Sequence, residues 1–295
     1  MSHASQREAT ERARGAPLSP RAMETLRRHW PEYLIEGWAL GMFMVSAGVV
    51  TTLFEYPGSA VHLAIADPTL RRALIGVAMG LTAMALIYSP WGQRSGAHMN
   101  PAVTFTFLRL GKIHRWDALF FVLAQFAGGL LGVVLVAQLL GAAFTAAPVS
   151  YVATLPGADG TAVAFAAEVL ISSVLIFTVL VVSNTPRLAR STGVVAGCLV
   201  ATYIAFEAPF SGMSMNPARS FASAAPGLMW QGFWIYLIAP VLGMLAGAQI
   251  YLSTRSRARV ACAKLLHPDT QRCIHCGYTP TQPPPNTADP RSMDS

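Results

Sequence analysis

Two short stretches of the chain carry the same residue types at the same spacing, SGAHMNPAVTF at residues 95–105 and SGMSMNPARSF at residues 211–221. In each, an asparagine precedes a proline, which predicts a helix with the asparagine as N-cap and the proline at its first position. The side-chain amides offer hydrogen-bond donors, and each helix dipole adds roughly half a positive charge at the same point. This chemistry suits neutral polar molecules and repels cations. The candidate residues are Asn100, Pro101, Ala102, Asn216, Pro217 and Ala218.

Arg219 follows the second asparagine by three positions. The alternative that it is a salt-bridged surface residue is disfavoured, because an arginine at membrane depth reaches water only through a passage between helices. We therefore predict that Arg219 faces such a passage and adds a second barrier to cations.

A third group of chemically active side chains follows the last apolar segment, in CAKLLHPDTQRCIHCGY at residues 262–278. Cys-x-x-Cys-Gly favours a tetrahedral zinc knuckle, and a cysteine and a histidine upstream can complete four ligands. The predicted ligands are Cys262, His267, Cys273 and Cys276, with His275 as a competing ligand. The alternatives are a disordered tail and a redox-active tail, and the Pro-rich end at 279–295 is predicted to be disordered.

The elements that must position these groups are membrane helices. Hydrophobic residues make up 53% of the 295 residues and charged residues only 12%, which is too apolar for a soluble chain of this size. Apolar stretches long enough to cross roughly 30 Å of hydrocarbon lie near 34–54, 71–89, 117–141, 162–183, 193–208 and 231–253. We expect six membrane-spanning helices and no cleavable signal peptide.

The spans form two halves, 30–143 and 160–253, and each half has three spans with one Asn-Pro-Ala stretch before the third. An odd number of spans per half predicts an inverted repeat. Each Asn-Pro stretch is followed by only enough residues for a half-span, so the two half-helices should meet near the midplane. The run from Gln93 to His98 is predicted to be non-helical backbone that either lines a wet cavity or is buried in protein. Gly-x-x-x-Gly pairs in five spans predict a tightly packed bundle, in which Cys198 of the fifth span is expected to pack.

Charge predicts the orientation of the chain. All basic residues except Arg71, Arg72 and Arg219 fall on one predicted side of the membrane. Because basic residues favour the cytoplasmic side, both termini are expected there, and a nucleic-acid-binding tail is disfavoured. The predicted divisions are a mobile cytoplasmic segment (1–29), the membrane domain (30–253), a cytoplasmic tail with the metal knuckle (254–278) and the disordered end.

These residues together resemble the aquaporin or major intrinsic protein channels, which carry twin Asn-Pro-Ala motifs on two half-helices. The resemblance covers roughly residues 30–253 and is to bacterial-type members, with some features of the plant nodulin-26-like branch. It implies an all-α fold of six transmembrane helices plus two re-entrant half-helices in an inverted 3+3 repeat. It also implies a passive pore in each subunit of a homotetramer, with no catalytic residues and no cofactor required for transport.

The resemblance assigns roles to further residues. Glu36 and Glu168 would accept hydrogen bonds from the non-helical segments, a scaffold role that we favour over proton relay, and His98 and Gln125 would be satisfied structural polar groups. The narrowest point of the pore maps to Arg219, Met213, Ile204 and either Met79 or Gly80. Such a filter is apolar and flexible, without the histidine that water-selective members carry in the fifth span.

The predicted function is a passive channel in the cell membrane for water, for small uncharged solutes, or for both. The alternative is a glycerol- or metalloid-type facilitator with little selectivity for water. A secondary transporter is disfavoured because the spans offer no paired acidic groups for a coupling ion. An enzyme is disfavoured because the spans carry no nucleophile or metal set, and a purely structural membrane protein would show no solute flux.

Overall fold

The computed structural model describes residues 20–256, 260–267 and 270–280. Within this part six helices are long and apolar enough to cross a membrane, and no strand is present among the described residues. The α-helices are α1 (Pro20–Glu55), α2 (Ala60–Ala64), α3 (Pro68–Tyr88), α4 (Pro90–Ser95), α5 (Pro101–Arg109), α6 (Arg115–Leu140), α7 (Ala142–Thr145), α8 (Gly160–Ser183), α9 (Thr192–Phe206), α10 (Ala208–Ser211), α11 (Pro217–Gly227) and α12 (Phe233–Thr254). The predicted all-α membrane fold is confirmed.

The helices pair as an inverted repeat requires. The first span of each half packs along the third span of the same half, α1 on α6 and α8 on α12. The second spans of the two halves, α3 and α9, pack on each other across the bundle. The core therefore lies between two equivalent three-helix units, and the half-helices α5 and α11 enter it from opposite sides.

Glycines set the distance between paired spans. A Cβ atom built on Gly41 would lie 2.8 Å from the carbonyl oxygen of Gly128 on α6, and one on Gly80 would lie 2.5 Å from that of Gly197 on α9. A Cβ on Gly247 of α12 would lie 2.2 Å from the carbonyl oxygen of Ser173 on α8. Backbones this close leave no room for a side chain, so the Gly-x-x-x-Gly pairs lie at helix contacts.

The half-helices begin where the sequence predicts and are short. α5 has 9 residues and α11 has 11, which gives rises of about 14 and about 16 Å. Each therefore covers about half of the hydrocarbon thickness. The chain before each half-helix is non-helical, at residues 96–100 and 212–216.

Three details differ from the sequence-based prediction. Helix α1 begins at Pro20, so residues 20–29 are helical where a mobile segment was predicted. This polar end of α1 is tied to α6, because Asp117 lies 2.7 Å from His29 Nδ1 and accepts a hydrogen bond from Tyr33. Gln93, Arg94 and Ser95 end helix α4, so the non-helical run begins at Gly96 and not at Gln93.

The third difference is Cys198, which was predicted to pack inside the fifth span and is instead exposed on the outer face of α9. The rest of the predicted N-terminal segment, residues 1–19, and most of the predicted disordered end, residues 281–295, lie outside the described residues.

Candidate functional site

A cavity runs through the bundle between the two halves. Its volume is about 500 Å³, and it is lined by Glu55 and Arg72 at one end and by Leu265 at the other. Both Asn100 and Asn216 line it between these ends. The end at Leu265 lies beside the chain that follows α12 and is called the terminal mouth below.

The two asparagines hold each other's loops together. Asn100 donates a hydrogen bond from Nδ2 to the Met215 carbonyl at 2.7 Å, and Asn216 donates from Nδ2 to the Met99 carbonyl at 2.7 Å. Each side-chain oxygen accepts a hydrogen bond from the first turn of its own half-helix. The Ala102 N–H donates to Asn100 Oδ1, and the Ala218 N–H donates to Asn216 Oδ1. Since a primary amide has two N–H donors, one donor on each asparagine is left for a molecule in the cavity.

The N-termini of α5 and α11 therefore meet at the middle of the cavity. Each begins with the proline that follows its asparagine, and the asparagine is the N-cap of its helix. Both helix dipoles point their positive ends at the same place, which is unfavourable for a cation passing between the asparagines.

The two non-helical loops have matching backbone conformations. Ala97 and Met99 in the first loop have φ of 55° and 49°, and Met213 and Met215 in the second have φ of 52° and 53°. Left-handed backbone costs a residue with a side chain on the order of 1 kcal/mol or more. Loops of this kind persist only where other groups hold them, and sequence patterns gave no sign of this conformation.

Glu36 of α1 holds the first loop. Its carboxylate accepts hydrogen bonds from the backbone N–H of His98 at 3.0 Å and of Met99 at 2.6 Å. It also accepts from Ser95 Oγ at 2.7 Å and from Gln125 Nε2 at 2.9 Å. Because Glu36 is fully buried, these four donors replace the water that the carboxylate has lost.

Glu168 of α8 holds the second loop in the same way. It accepts from the backbone N–H of Ser214 at 2.6 Å and of Met215 at 2.8 Å, and from Ser211 Oγ at 2.8 Å. Ser211 and Met215 correspond to Ser95 and Met99 in the repeat. Both glutamates therefore make the contacts that a scaffold role requires. With these hydrogen bonds formed, the loop backbone still faces the cavity.

Carbonyl groups of both loops are available to a passing molecule. Ala97 and His98 on one side, and Met213 and Ser214 on the other, line the cavity. Within the described residues no hydrogen bond occupies their carbonyl oxygens. A polar molecule in the cavity thus meets acceptors on both sides of the two asparagine donors.

The predicted filter residues line the cavity on the Glu55 side, with one exception. Met79, Ile204, Met213 and Arg219 are all part of its wall. The remaining candidate, Gly80, faces away from the cavity and packs against Gly197 of α9. Of the two alternatives in the second span, Met79 therefore lines the cavity and Gly80 does not.

Residues that sequence reasoning missed hold this region in place. Arg219 donates from Nη1 to the Val152 carbonyl at 2.9 Å, which fixes the guanidinium at the cavity wall. A chain of hydroxyls links Thr154, Ser220 and Ser214, with both oxygen–oxygen distances 2.6 Å. Val152 and Thr154 belong to the connection between the two halves, where no motif marked them.

His98 and Gln125 are buried among polar partners. His98 Nδ1 lies 3.0 Å from Thr104 Oγ1, and its Nε2 lies 2.6 Å from the Ala263 carbonyl. Gln125 donates from Nε2 to Glu36 and to Thr104 Oγ1, although its Oε1 has no partner among the described residues. These contacts are those of structural polar groups, and the one to Ala263 joins the first loop to the chain after α12.

The four predicted metal ligands converge after α12. The ligand atoms of Cys262, His267, Cys273 and Cys276 all lie within 4.8 Å of one another. A hydrogen bond between the Cys262 and Cys273 thiols raises the pKa of Cys262 and lowers that of Cys273 below its usual range. The competing ligand His275 points elsewhere, with its Nε2 2.9 Å from the Ser95 carbonyl. Burial lowers the pKa of His275 to about 4, so the neutral ring donates from Nε2.

Comparison with known proteins identifies relatives over most of the chain. The sequence profile of the family described as Major intrinsic protein matches residues 35–251. Aquaporin NIP2-3 of Zea mays is 32% identical over 236 residues, which cover 79% of this chain and 75% of that protein. The Nicotiana alata protein named "Probable aquaporin NIP-type" is 35% identical over 184 residues, which cover 62% of this chain. Over its aligned part, the chain spans 66% of the Nicotiana protein's length, just under two thirds.

The fold also has a solved counterpart. The aquaglyceroporin from Plasmodium falciparum superposes on this protein with a TM-score of 0.62. The superposed region covers 76% of this chain and 95% of the Plasmodium chain. At 21% sequence identity, this likeness bears on the fold alone.

Proposed function

The chain belongs to the major intrinsic protein family, and from that premise we propose that it forms a passive channel for water and small uncharged solutes. Members of this family are channels and not enzymes, and they need no cofactor for transport. The observation that carries the proposal is the cavity lined by Asn100 and Asn216 at the meeting point of two half-helices.

Hydrogen bonding explains why a neutral molecule passes. A water molecule that enters gives up partners in bulk solvent and gains the loop carbonyls as acceptors and the free N–H of each asparagine as donors. Exchange of one set of hydrogen bonds for another has a small net free energy, about 1 kcal/mol per bond. The molecule is therefore neither excluded nor trapped, as conduction requires.

Charge explains why cations are excluded. The positive ends of α5 and α11 face the centre of the cavity, and Arg219 adds a full positive charge towards the Glu55 end. A cation must leave its hydration shell in the same place where these charges oppose it. The amide donors at the centre also orient water molecules so that they accept from both asparagines, which breaks a chain of water along which a proton could hop.

The filter residues favour a solute with some apolar surface. Met79, Ile204 and Met213 present carbon and sulfur, so Arg219 is the main polar contact that replaces lost hydration. Water is expected to cross more slowly than in a filter with a histidine, while small polyols and urea-like molecules find apolar contacts. A glycerol- or metalloid-type facilitator with little selectivity for water is the second candidate, favoured by the same apolar wall.

The variant Ile204→His tests this assignment. A histidine at this wall position supplies one more hydrogen-bonding group, worth about 1 kcal/mol, or about fivefold in rate. We expect water permeability to rise by about that factor and glycerol-driven reswelling to fall, both measured by stopped-flow light scattering on proteoliposomes.

Cys198→Ser, on the outer face of the same helix, serves as the control and should leave both rates unchanged. Equal effects of Ile204→His on water and on glycerol would mean that Ile204 does not belong to the filter.

Orientation and assembly are part of the proposal. The basic residues concentrated at the ends of the chain support a cytoplasmic location for both termini, and thus for the cysteine cluster. The outer face of α6 exposes a row of leucines, Leu119, Leu123, Leu131, Leu135 and Leu139, which suits lipid or a neighbouring subunit. We propose a homotetramer in the cell membrane, for which the mass of the detergent-solubilised complex is the test.

A further inference from the structure

The Cys/His cluster after α12 has the shape of a metal site. Cys262 Sγ lies 3.4 Å from Cys273 Sγ, and His267 Nε2 lies 3.2 Å from Cys276 Sγ. In a tetrahedral zinc site with Zn–S of about 2.3 Å and Zn–N of about 2.0 Å, ligand atoms are about 3.5–3.8 Å apart. The two close pairs are near that range, and the whole group spans no more than 4.8 Å.

A disulfide does not explain the cluster. The 3.4 Å between the Cys262 and Cys273 sulfurs is far longer than the roughly 2.05 Å of a disulfide bond. The ligand atoms of all four residues lie within 4.8 Å of one another, so the cluster is a group of four and not a single pair of cysteines.

The turn between Cys273 and Cys276 is already shaped for a metal. The Gly277 N–H donates to the Cys273 carbonyl at 3.1 Å, and the Cys273 N–H donates to the Tyr278 carbonyl at 2.8 Å. Gly277 has a φ of 75°, a left-handed conformation that glycine adopts without strain. The turn brings both cysteines to the same side.

The residues that carry this cluster also form the wall of the terminal mouth. The Leu265 N–H donates to the Gly96 carbonyl at 3.1 Å, and Lys264 Nζ donates to the Gln93 carbonyl at 2.9 Å. His275 donates to the Ser95 carbonyl, and its ring stacks on that of His98 with centroids 5.9 Å apart. The segment that receives these contacts leads directly into the loop before Asn100.

One side chain from this segment lines the channel itself. Leu265 is 7% exposed and lines the cavity at its terminal mouth. Its position depends on the chain between Cys262 and His267, both of them predicted ligands. The hydrogen bonds to Gly96 and Gln93 also hold this segment, and two metal ligands on either side of Leu265 would further constrain its position.

We propose that the chain after α12 binds one zinc ion through Cys262, His267, Cys273 and Cys276, and that the bound zinc holds Leu265 in the terminal mouth and so restricts passage. The zinc site stands on the ligand geometry alone, whereas the restriction rests on the channel function proposed above. Loss of zinc would release the segment from the Gly96 and Ser95 carbonyls and widen the mouth.

Zinc content of the purified full-length protein tests the site. We expect about one zinc ion per chain, and less than about a tenth of that in Cys276→Ser, because serine is a poor zinc ligand. Cys276 is exposed, so its replacement should not prevent folding. Cys198→Ser, also at an exposed cysteine, is the matched control and should keep its zinc. Absence of zinc from the wild-type protein, or equal zinc in Cys276→Ser, would overturn the site.

Hydrogen exchange tests the coupling without measuring flux. In the zinc-bound protein, the Leu265 amide is expected to exchange slowly because it donates to the Gly96 carbonyl. After chelation, or in Cys276→Ser, exchange at residues 260–267 should rise at least tenfold. Unchanged exchange would show that zinc does not hold this segment at the mouth.

Permeability completes the test. Water or glycerol flux through proteoliposomes should rise several-fold after chelation, and also in zinc-loaded Leu265→Ala, which removes the side chain but no ligand. If the protein conducts and neither change alters the flux, the restriction is wrong. If no form conducts, the channel function and the restriction with it both fail, while zinc content and hydrogen exchange still decide the site and its attachment.

Discussion

Replacement of Glu168 by alanine is expected to abolish permeation and to lower the thermal stability of the protein sharply. The backbone N–H groups of Ser214 and Met215 would lose their shared acceptor, whereas the Ser211 hydroxyl would keep the Glu207 carboxylate as its acceptor. Each unsatisfied buried donor costs about 1–3 kcal/mol. The loop would then leave its left-handed conformation at Met215, and Asn216 would lose its position at the centre of the channel.

Two further variants separate this mechanism from a simple loss of volume. Glu168→Gln has nearly the same size but turns an amide N–H₂ towards one of the donors, so an intermediate loss is expected. Leu170→Ala, on the exposed face of the same helix, should leave the protein unchanged. The measurements are the midpoint of thermal unfolding in detergent and water flux in proteoliposomes. A Glu168→Ala protein that unfolds and conducts like the wild type would disprove the scaffold role.

Replacement of Gly128 by alanine is expected to prevent correct packing of α1 on α6. A Cβ at Gly128 would lie 1.9 Å from the Gly37 carbonyl oxygen and 2.5 Å from the Gly37 Cα. The obstacle is backbone and cannot rotate away, so the two helices must separate along their contact. Overpacking typically costs about 1–3 kcal/mol, and an overlap with rigid backbone should exceed that range.

The yield of monodisperse protein and its unfolding midpoint are the readouts for Gly128→Ala. Ala127→Val adds apolar volume one position earlier, on the exposed face of α6, and should behave like the wild type. Normal yield and stability of Gly128→Ala would mean that the two helices are farther apart than the structure has them.

The half-helices could be predicted because their signals are local. Asn100 and Asn216 suit an N-cap, a proline follows each of them, and few apolar residues come after, so the start and the approximate length can be read from sequence. The matching left-handed residues Met99 and Met215 could not be predicted, since neither residue type favours that conformation. Glu36 and Glu168 stabilise the left-handed conformation by hydrogen bonds, and both lie on helices that are distant in sequence from the loops.

The second-span filter residue illustrates a different limit. Met79 and Gly80 are adjacent, and a shift of one residue turns a helical side chain by about 100°. The sequence could not decide between them, because the connection from the second span to the first Asn-Pro-Ala motif differs in length from the usual connection in this family. The close contact between Gly80 and Gly197 turns Gly80 away from the cavity and supports Met79 as the proposed filter residue, and that contact joins the two halves of the chain.

The contacts at the terminal mouth were the hardest feature to predict from the sequence. The spacing of Cys262, His267, Cys273 and Cys276 suggested a metal knuckle, and the structure brings their ligand atoms together. Nothing in the pattern indicated that the same segment would cap the Ser95 and Gly96 carbonyls or that Leu265 would line the channel. Such pairing depends on tertiary contacts between distant segments that carry no shared motif.

The central claim is that this chain conducts neutral molecules and excludes protons. The most direct test is to follow vesicle shrinkage by light scattering and internal pH by a trapped dye in the same zinc-loaded proteoliposomes, with protein-free vesicles alongside. We expect water or glycerol to cross much faster than in protein-free vesicles, with proton flux unchanged from theirs. Neutral-molecule flux no faster than in protein-free vesicles, or proton flux that rises with it, would contradict the account.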